Sequence, residues 1–173
     1  MTLIIHELSH VIVSFLIATS IIIYFKNKFA DNHKISIIIS ALAGGVFVDL
    51  DHFLDYFIAF GTNFNIRYFL AGYQFLKSDL IIVPVHSFEL VLILLVYSWW
   101  LSKKKQHILT TIIIVTFAIS LLSHLVIDVY SNDLPPKSYL FLYRSSNNFH
   151  LKDLVYPSHY LKHLNQKRLI RLE

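Results

Sequence analysis

Hydrophobic and polar residues follow each other along this chain in long blocks, and the apolar blocks predict four membrane-spanning helices. A helix rises 1.5 Å per residue, so each block is long enough to cross roughly 30 Å of hydrocarbon. The blocks cover about residues 8–25, 35–60, 80–101 and 108–130. Lysines follow the first and third blocks, and Trp99-Trp100 resembles an interfacial anchor. The pattern therefore predicts an all-α, integral-membrane four-helix bundle over residues 1–130.

The remainder of the chain, residues 131–173, has a different pattern and is predicted to be a short interfacial loop and tail. Asp133-Leu134-Pro135-Pro136 should end the fourth helix. Between His159 and Leu172, leucines are interspersed with lysines and arginines, which favours a basic amphipathic helix on the membrane surface. A solvated tail is the alternative for this segment. A soluble protein with buried helices is the alternative for the whole chain, and the lysines that close the blocks argue against it.

Composition supports the membrane interpretation and narrows the chemistry. The 173 residues are 55% hydrophobic with a mean hydropathy of +0.58. The chain has no cysteine, so disulfides and thiolate metal sites are excluded and any metal needs nitrogen and oxygen ligands. The net charge of +4 comes from loops and tail, which indicates lipid headgroups as partners rather than nucleic acid. No cleavable signal peptide is expected, since His6, Glu7 and His10 open the first block.

Histidines and acids inside the apolar blocks gather at one end of each predicted helix. A carboxylate at the bilayer centre costs roughly 2.5–3.5 kcal/mol, so such groups need partners. Successive helices of an up-down bundle run in opposite directions, so starts of odd helices and ends of even ones share one membrane face. The residues concerned are His6 and His10 in the first block, Asp49, Asp51, His52 and Asp55 in the second, His86 and Glu89 in the third, and His124 and Asp128 in the fourth.

A metal site is the chemistry that this layer favours, because helix bundles bind metals through imidazoles and carboxylates on facing helices. The number of candidate groups exceeds what one tetrahedral zinc needs, so one or two divalent ions are expected. Zn²⁺ is the first choice, with Mn²⁺ or Mg²⁺ as alternatives. Asp51, Asp55 and Glu89 are the candidates for a general base, or supports for the ligands. The predicted ligands are His6, His10, Asp49, His52, His86, His124 and Asp128, although His6 is also weighed as a supporting group.

Four motifs in a fixed order carry a resemblance to a known family. They are His10, Gly-Gly-x-x-x-Asp-x-Asp-His at 44–52, His86-Ser87, and Ser123-His124-x-x-x-Asp128. Over residues 1–130 this order resembles the LexA-binding, inner-membrane-associated metal-dependent hydrolase family, also called membrane-bound metal-dependent hydrolases. Val48 stands where that family usually has proline, Val85 stands where threonine is common, and the family's His-Arg pair has no counterpart at 80–84. The resemblance implies a metal-dependent hydrolase associated with the inner or plasma membrane of the cell.

The predicted function is hydrolysis of a phosphate or ester bond in a lipid-like substrate that enters from the bilayer. Arg144 is predicted to bind a phosphate, since guanidinium suits oxyanions, or alternatively to snorkel at the interface. The lysines at 26–34 and 103–105 favour a cytoplasmic location for those loops, which places the site on the extracytoplasmic face of the plasma membrane. Counting the basic C-terminal tail as well reverses this orientation. A non-catalytic metal-stabilised scaffold or a partner-binding protein is the alternative, whereas a transporter would need ligands near the midplane.

Overall fold

The computed structural model describes residues 3–25, 30–104, 107–132 and 134–170, and every regular element in those ranges is helical. The all-α prediction is therefore confirmed for the described chain. Lys26, Lys28, Lys105, Asp133 and the last residues of the predicted tail helix lie outside the described residues. The helices are α1 (Leu3–Tyr24), α2 (Asp31–Gly45), α3 (His52–Phe60), α4 (Ile66–Leu70), α5 (Tyr73–Ser78), α6 (Phe88–Ser102), α7 (Ile108–Ser131), α8 (Phe141–Ser146), α9 (Leu151–Leu154) and α10 (Pro157–Ile170), with 3-10 turns at Phe47–Asp51 and Pro136–Tyr139.

Two of these helices are long and apolar enough to cross a membrane. They are the 20-residue stretch Ile5–Tyr24 of α1 and the 24-residue helix α7. The second predicted span is interrupted, because α2 ends at Gly45 and the turn Phe47–Asp51 precedes α3. These findings indicate membrane association. Full-length helices correspond to two of the four predicted spans.

The third predicted span starts later than its apolar block. Pro84 disfavours helix for the residue before it, and Ser87 caps α6 by accepting a hydrogen bond from the Leu90 amide at 3.1 Å. The helix therefore begins at Phe88 rather than near Leu80 and contains 15 residues. At 1.5 Å per residue such a helix is about 22 Å long, which is shorter than the hydrocarbon layer. The segment before it, which holds His86, is irregular.

The first compact unit comprises Met1–Val48 and Ser87–Ser131, with α7 packed against α1, α2 and α6. One core cluster contains Ala18, Ile37, Ala41 and Ile112. Small residues let the helix backbones approach each other, as is usual where helices meet in a membrane. At Gly44 the α2 backbone lies so close to α7 that a Cβ would overlap the carbonyl oxygen of Phe117.

Replacing Gly44 with alanine is expected to destabilise the packing of α2 on α7 by about 1–3 kcal/mol, because overpacking forces backbone shifts. Gly45→Ala is the matched control, since the atom that its Cβ would meet is the movable hydroxyl of Ser14. Thermal unfolding of both variants in detergent measures the difference. Equal midpoints for the two variants would contradict this account of the α2–α7 contact.

The second compact unit comprises Asp49–His86 and Asn132–Glu173. The predicted boundary near residue 130 coincides with the end of α7, but residues 49–86 group with the C-terminal segment. Backbone hydrogen bonds join the two stretches, from Ile81 N–H to Phe149 O at 2.9 Å and from Leu151 N–H to Asp79 O at 2.8 Å. A core of Ile81, Val83, Leu151 and Leu154 lies beneath them. The C-terminal segment is thus a packed part of this unit.

Asp79 fixes the C-terminal helix α10 to the rest of this unit. Its carboxylate contacts His163 Nε2 at 2.8 Å and pairs with the ammonium group of Lys167. Burial raises the pKa of Asp79, but the hydrogen bonds and charges of Lys167 and His163 outweigh it, so this pKa lies below its ordinary value. The predicted tail helix is therefore present as a helix, whereas its place on a membrane surface stays a prediction.

Acidification is expected to loosen α10. Because the folded-state pKa of Asp79 is depressed, its stabilising contribution is present above the unfolded value of about 3.9 and is lost as the pH falls through the folded value. The ion pair between Asp79 and Lys167 is partly exposed, so Asp79→Asn should lower the free energy of unfolding by only about 0.5–1 kcal/mol. Limited proteolysis or amide exchange within 157–170 measures the change, with the exposed Asp153→Asn as control. Unchanged protection of α10 in Asp79→Asn would show that Asp79 does not hold this helix in place.

Candidate metal centres

Helices α1 and α7 bring three imidazoles to one carboxylate, and we call His6, His10, His124 and Asp128 the α1–α7 cluster. The Nε2 atoms of His6 and His10 lie 3.1 and 3.4 Å from Asp128 Oδ1, and His124 Nε2 lies 3.4 Å from Asp128 Oδ2. His6 and His10 are four residues apart on α1, and His124 and Asp128 are four residues apart on α7. Each pair therefore lies on one face of its helix. His10, His124 and Asp128 are at most 4% exposed, so the cluster is largely buried, with the His6 side chain 15% exposed.

The distances within this cluster fit a bound cation. His6 Nε2, His10 Nε2 and Asp128 Oδ1 form a triangle, whose third side, between the two nitrogens, is 3.0 Å. Zinc ligands at about 2.0–2.1 Å in tetrahedral geometry lie roughly 3.3 Å from each other. A proton can lie between only two of the three atoms at a time, whereas a cation can contact all three. These residues therefore form a group that can hold a metal ion.

A supporting contact fixes the ring of His124. Its Nδ1 lies 3.0 Å from the carbonyl oxygen of Gly45, and because a carbonyl can only accept, Nδ1–H must donate. The neutral ring then has its lone pair on Nε2, the atom that faces Asp128. Backbone carbonyls commonly orient metal-binding histidines in this way. The ring of His10 stacks on that of His124 with centroids 4.0 Å apart, which restricts both rings further.

The second unit holds a similar group, Asp49, Asp51, His52 and His86, which we call the Asp49–His86 cluster. His86 Nε2 lies 3.1 Å and His52 Nε2 3.4 Å from the same oxygen of Asp49, Oδ1. Each of these two nitrogen–oxygen distances is close to the separation of roughly 3.3 Å between two tetrahedral zinc ligands. Asp51, His52 and His86 also lie close enough together to share an ion.

Asp51 differs from Asp49 in its partners. Its oxygens lie 2.9 and 3.0 Å from His86 Nδ1, and Oδ2 accepts hydrogen bonds from the backbone amides of Val85 and His86 at 2.9 and 3.3 Å. A carboxylate on Nδ1 leaves Nε2 of the ring directed at the ligand position, which is the usual carboxylate–histidine–metal arrangement. In this arrangement Asp51 orients His86, and Asp49 is a candidate ligand on the Nε2 side of the ring.

Solvent access separates the two clusters. The side chains of Asp49 and His52 are each 28% exposed, whereas those of His10 and His124 are 0% exposed. Structural zinc sites are closed by four protein ligands, and catalytic sites have three protein ligands and an accessible fourth position. The α1–α7 cluster is the more buried of the two, although the side chain of His6 is 15% exposed, and the Asp49–His86 cluster is accessible through Asp49 and His52.

The residues predicted as general bases occupy different surroundings. Asp51 orients His86, as described above. Asp55 is 1% exposed, and its two oxygens accept hydrogen bonds from the amides of Ile82 and Val83 at 2.8 and 3.1 Å. Glu89 lies in the first turn of α6, where its carboxylate accepts a hydrogen bond from the Ser87 hydroxyl at 3.0 Å. Their catalytic roles stay predictions.

Arg144 lies in α8 and is 1% exposed. Its Nη1 and Nη2 donate to the carbonyl oxygens of Ser138 at 3.2 Å and Val83 at 2.9 Å. Phosphate binding by Arg144 stays a prediction. The link from Arg144 to the Val83 backbone was not predicted, because the sequence does not show which carbonyl a distant side chain reaches.

Within each unit, the structure thus brings some of the predicted ligands together. The prediction that all of them meet in one layer at a membrane face stays a prediction. In comparisons with known proteins, no family model, no curated protein and no solved structure matches this chain.

Proposed function

We propose that this protein is an integral-membrane metal-dependent hydrolase whose active site is the Asp49–His86 cluster. The observation that carries the proposal is the convergence of His52 Nε2 and His86 Nε2 on one oxygen of a part-exposed Asp49. Three protein ligands with an accessible fourth position are typical of hydrolytic zinc sites. A divalent ion in such a site lowers the pKa of water and polarises a phosphoryl or carbonyl oxygen.

The side chains of the cluster divide the remaining tasks. Asp51 keeps the proton of His86 on Nδ1, so that Nε2 is available as a ligand. Asp49 shares its carboxylate between the two imidazoles and is open to solvent, which gives a substrate access to this edge of the cluster. Nitrogen and oxygen ligands without thiolate favour Zn²⁺, with Mn²⁺ or Mg²⁺ as alternatives where more oxygens and waters complete the shell.

The proposed substrate is a phosphate or ester of lipid character, and the proposed partners are membrane lipids. Support comes from the two helices that can span a bilayer and from many large apolar side chains exposed on α1 and α6, including Ile12, Leu16, Leu92 and Ile93. The order of motifs that resembles the membrane-bound metal-dependent hydrolases also supports it. A four-span bundle in the plasma membrane, with its site on the extracytoplasmic face, completes the proposal.

A metal-stabilised scaffold is the second candidate, and the α1–α7 cluster favours it. His10, His124 and Asp128 are closed to solvent, as in metal sites whose role is to stabilise the fold. The two candidates are compatible if this cluster is structural and the Asp49–His86 cluster is catalytic. They are distinguished by whether the metal-loaded protein turns over any substrate.

The test is metal analysis of protein purified in detergent, combined with hydrolysis assays. The panel should contain bis(p-nitrophenyl) phosphate, p-nitrophenyl acetate and a short-chain phosphatidic acid in mixed micelles. We expect bound divalent metal and turnover of at least one of these substrates. Metal without turnover across the panel would favour the scaffold, and protein that binds no divalent metal would overturn both candidates.

A further inference from the structure

The backbone of Val83 is held in a conformation that valine rarely adopts. Its φ is +26°, in the region that favours glycine, and Val83 is both β-branched and followed by Pro84, which restricts the residue before it. Such strain costs about 1–3 kcal/mol and persists only where the surroundings hold the residue in place. Val83 is 4% exposed and belongs to the core of its unit, so the surroundings are protein.

Two buried charged side chains hold this residue from opposite ends. Asp55 accepts the Val83 N–H at 3.1 Å, and Arg144 donates to the Val83 carbonyl at 2.9 Å. A negative group at N–H and a positive group at C=O both match the polarity of the backbone groups, and hydrogen bonds to charged groups are stronger than neutral ones. Asp55 and Arg144 are each 1% exposed. Burying two charged groups is costly unless they form hydrogen bonds, so the burial of Asp55 and Arg144 depends on their contacts with this backbone.

The backbone at Val83 is hydrogen-bonded to the backbone of His86, a candidate metal ligand. The amide of His86 donates to the Val83 carbonyl at 3.1 Å, so Arg144 and His86 bind the same oxygen. Asp55 also accepts the Ile82 amide at 2.8 Å, which fixes the segment one residue earlier. The position of His86 Nε2 relative to Asp49 therefore depends on the segment 82–86, and the conformation of this segment depends on Asp55 and Arg144.

We infer that Asp55 and Arg144 are positioning residues that set the metal affinity of the Asp49–His86 cluster by holding the strained segment 82–86. This inference rests on the proposed function, since it requires the cluster to bind metal. Neither side chain needs to contact the ion or the substrate. Residues that orient metal ligands typically change metal affinity 10–100-fold when they are replaced.

The experiment is a titration of detergent-purified protein with Co²⁺, followed by its visible absorption, and with Zn²⁺ in competition. The relevant binding step is the one that disappears in His86→Ala. We expect Asp55→Asn and Arg144→Gln to weaken that step 10–100-fold, with a shifted Co²⁺ spectrum. The matched controls are Asp79→Asn, which removes a carboxylate of the same unit that faces α10, and Arg67→Gln, which removes an exposed guanidinium. Both controls should bind as the wild type does.

Further measurements separate positioning from a loss of fold. In a His86→Ala background, Asp55→Asn should leave the remaining metal binding unchanged, because Asp55 acts through His86, whereas a loss of fold would reduce that binding too. If Asp55→Asn and Arg144→Gln give no folded protein, Arg144→Lys is the variant to test. It retains the charge and one hydrogen-bond donor, so it should lose metal affinity to an intermediate extent. Wild-type affinity in folded Asp55→Asn and Arg144→Gln, or in Arg144→Lys, would overturn the inference. Wild-type protein that binds no metal would instead overturn the proposed function.

Discussion

Replacing His86 with alanine is expected to reduce hydrolysis about 10³-fold or more and to leave a folded protein with less bound metal. The ion in a hydrolytic site contributes several kcal/mol of transition-state stabilisation, and each 1.36 kcal/mol corresponds to a factor of ten in rate. His86 supplies Nε2 at 3.1 Å from Asp49 and is the ring that Asp51 orients. Its loss leaves Asp49 and His52 as the remaining ligands of this cluster.

The measurement for His86→Ala combines initial rates on the most active substrate of the panel with metal content. His150→Ala is the matched control, because His150 is an exposed histidine of the same unit. We expect the control to retain both rate and metal. A His86→Ala protein that hydrolyses substrate at the wild-type rate would exclude the Asp49–His86 cluster as the active site.

Replacing Asp128 with alanine is expected to lower stability rather than only activity. Three imidazole nitrogens converge on this carboxylate, whose side chain is only 6% exposed. Removing one partner of a buried charged group costs about 3–5 kcal/mol, and a closed metal site contributes its binding free energy to folding. His124→Ala should act in the same direction. Both variants should therefore give less folded protein and lower unfolding midpoints.

Fluorescence-detected size-exclusion chromatography and thermal unfolding measure this effect. Ser123→Ala is the control, because the Ser123 hydroxyl donates a hydrogen bond to the Ser120 carbonyl of the same helix. Treatment of the wild type with a strong chelator should shift the midpoint in the same direction as Asp128→Ala. Wild-type midpoints in both Asp128→Ala and His124→Ala would show that the α1–α7 cluster does not stabilise the fold.

Some pairs of ligands could be predicted because they depend on helical spacing alone. His6 and His10, and likewise His124 and Asp128, are four residues apart, and any helix through them places each pair on one face. The apolar composition of α1 and α7 in the same way predicted helices that can span a bilayer. Local geometry and hydrophobicity, both properties of the sequence, were sufficient for these features.

The roles of Asp49 and Asp51 could not be separated in this way. Both lie in one short turn, and only the packed structure shows that Asp51 receives Nδ1 of His86 while Asp49 faces Nε2. Likewise, Pro84 and the Ser87 cap start α6 late, so that His86 lies in an irregular segment instead of a helix. Which side chain orients a ring, and which remains accessible, depends on residues distant in sequence.

Local sequence features were thus sufficient to predict the helical class, the apolar segments, and the imidazole and carboxylate groups that could hold a metal ion. The packing of distant segments showed which of these groups meet within each unit, and it placed Asp55 and Arg144 on the backbone of Val83. The physical reason is that spacing fixes neighbours within one helix, whereas burial and backbone hydrogen-bond partners arise only when separate segments pack together.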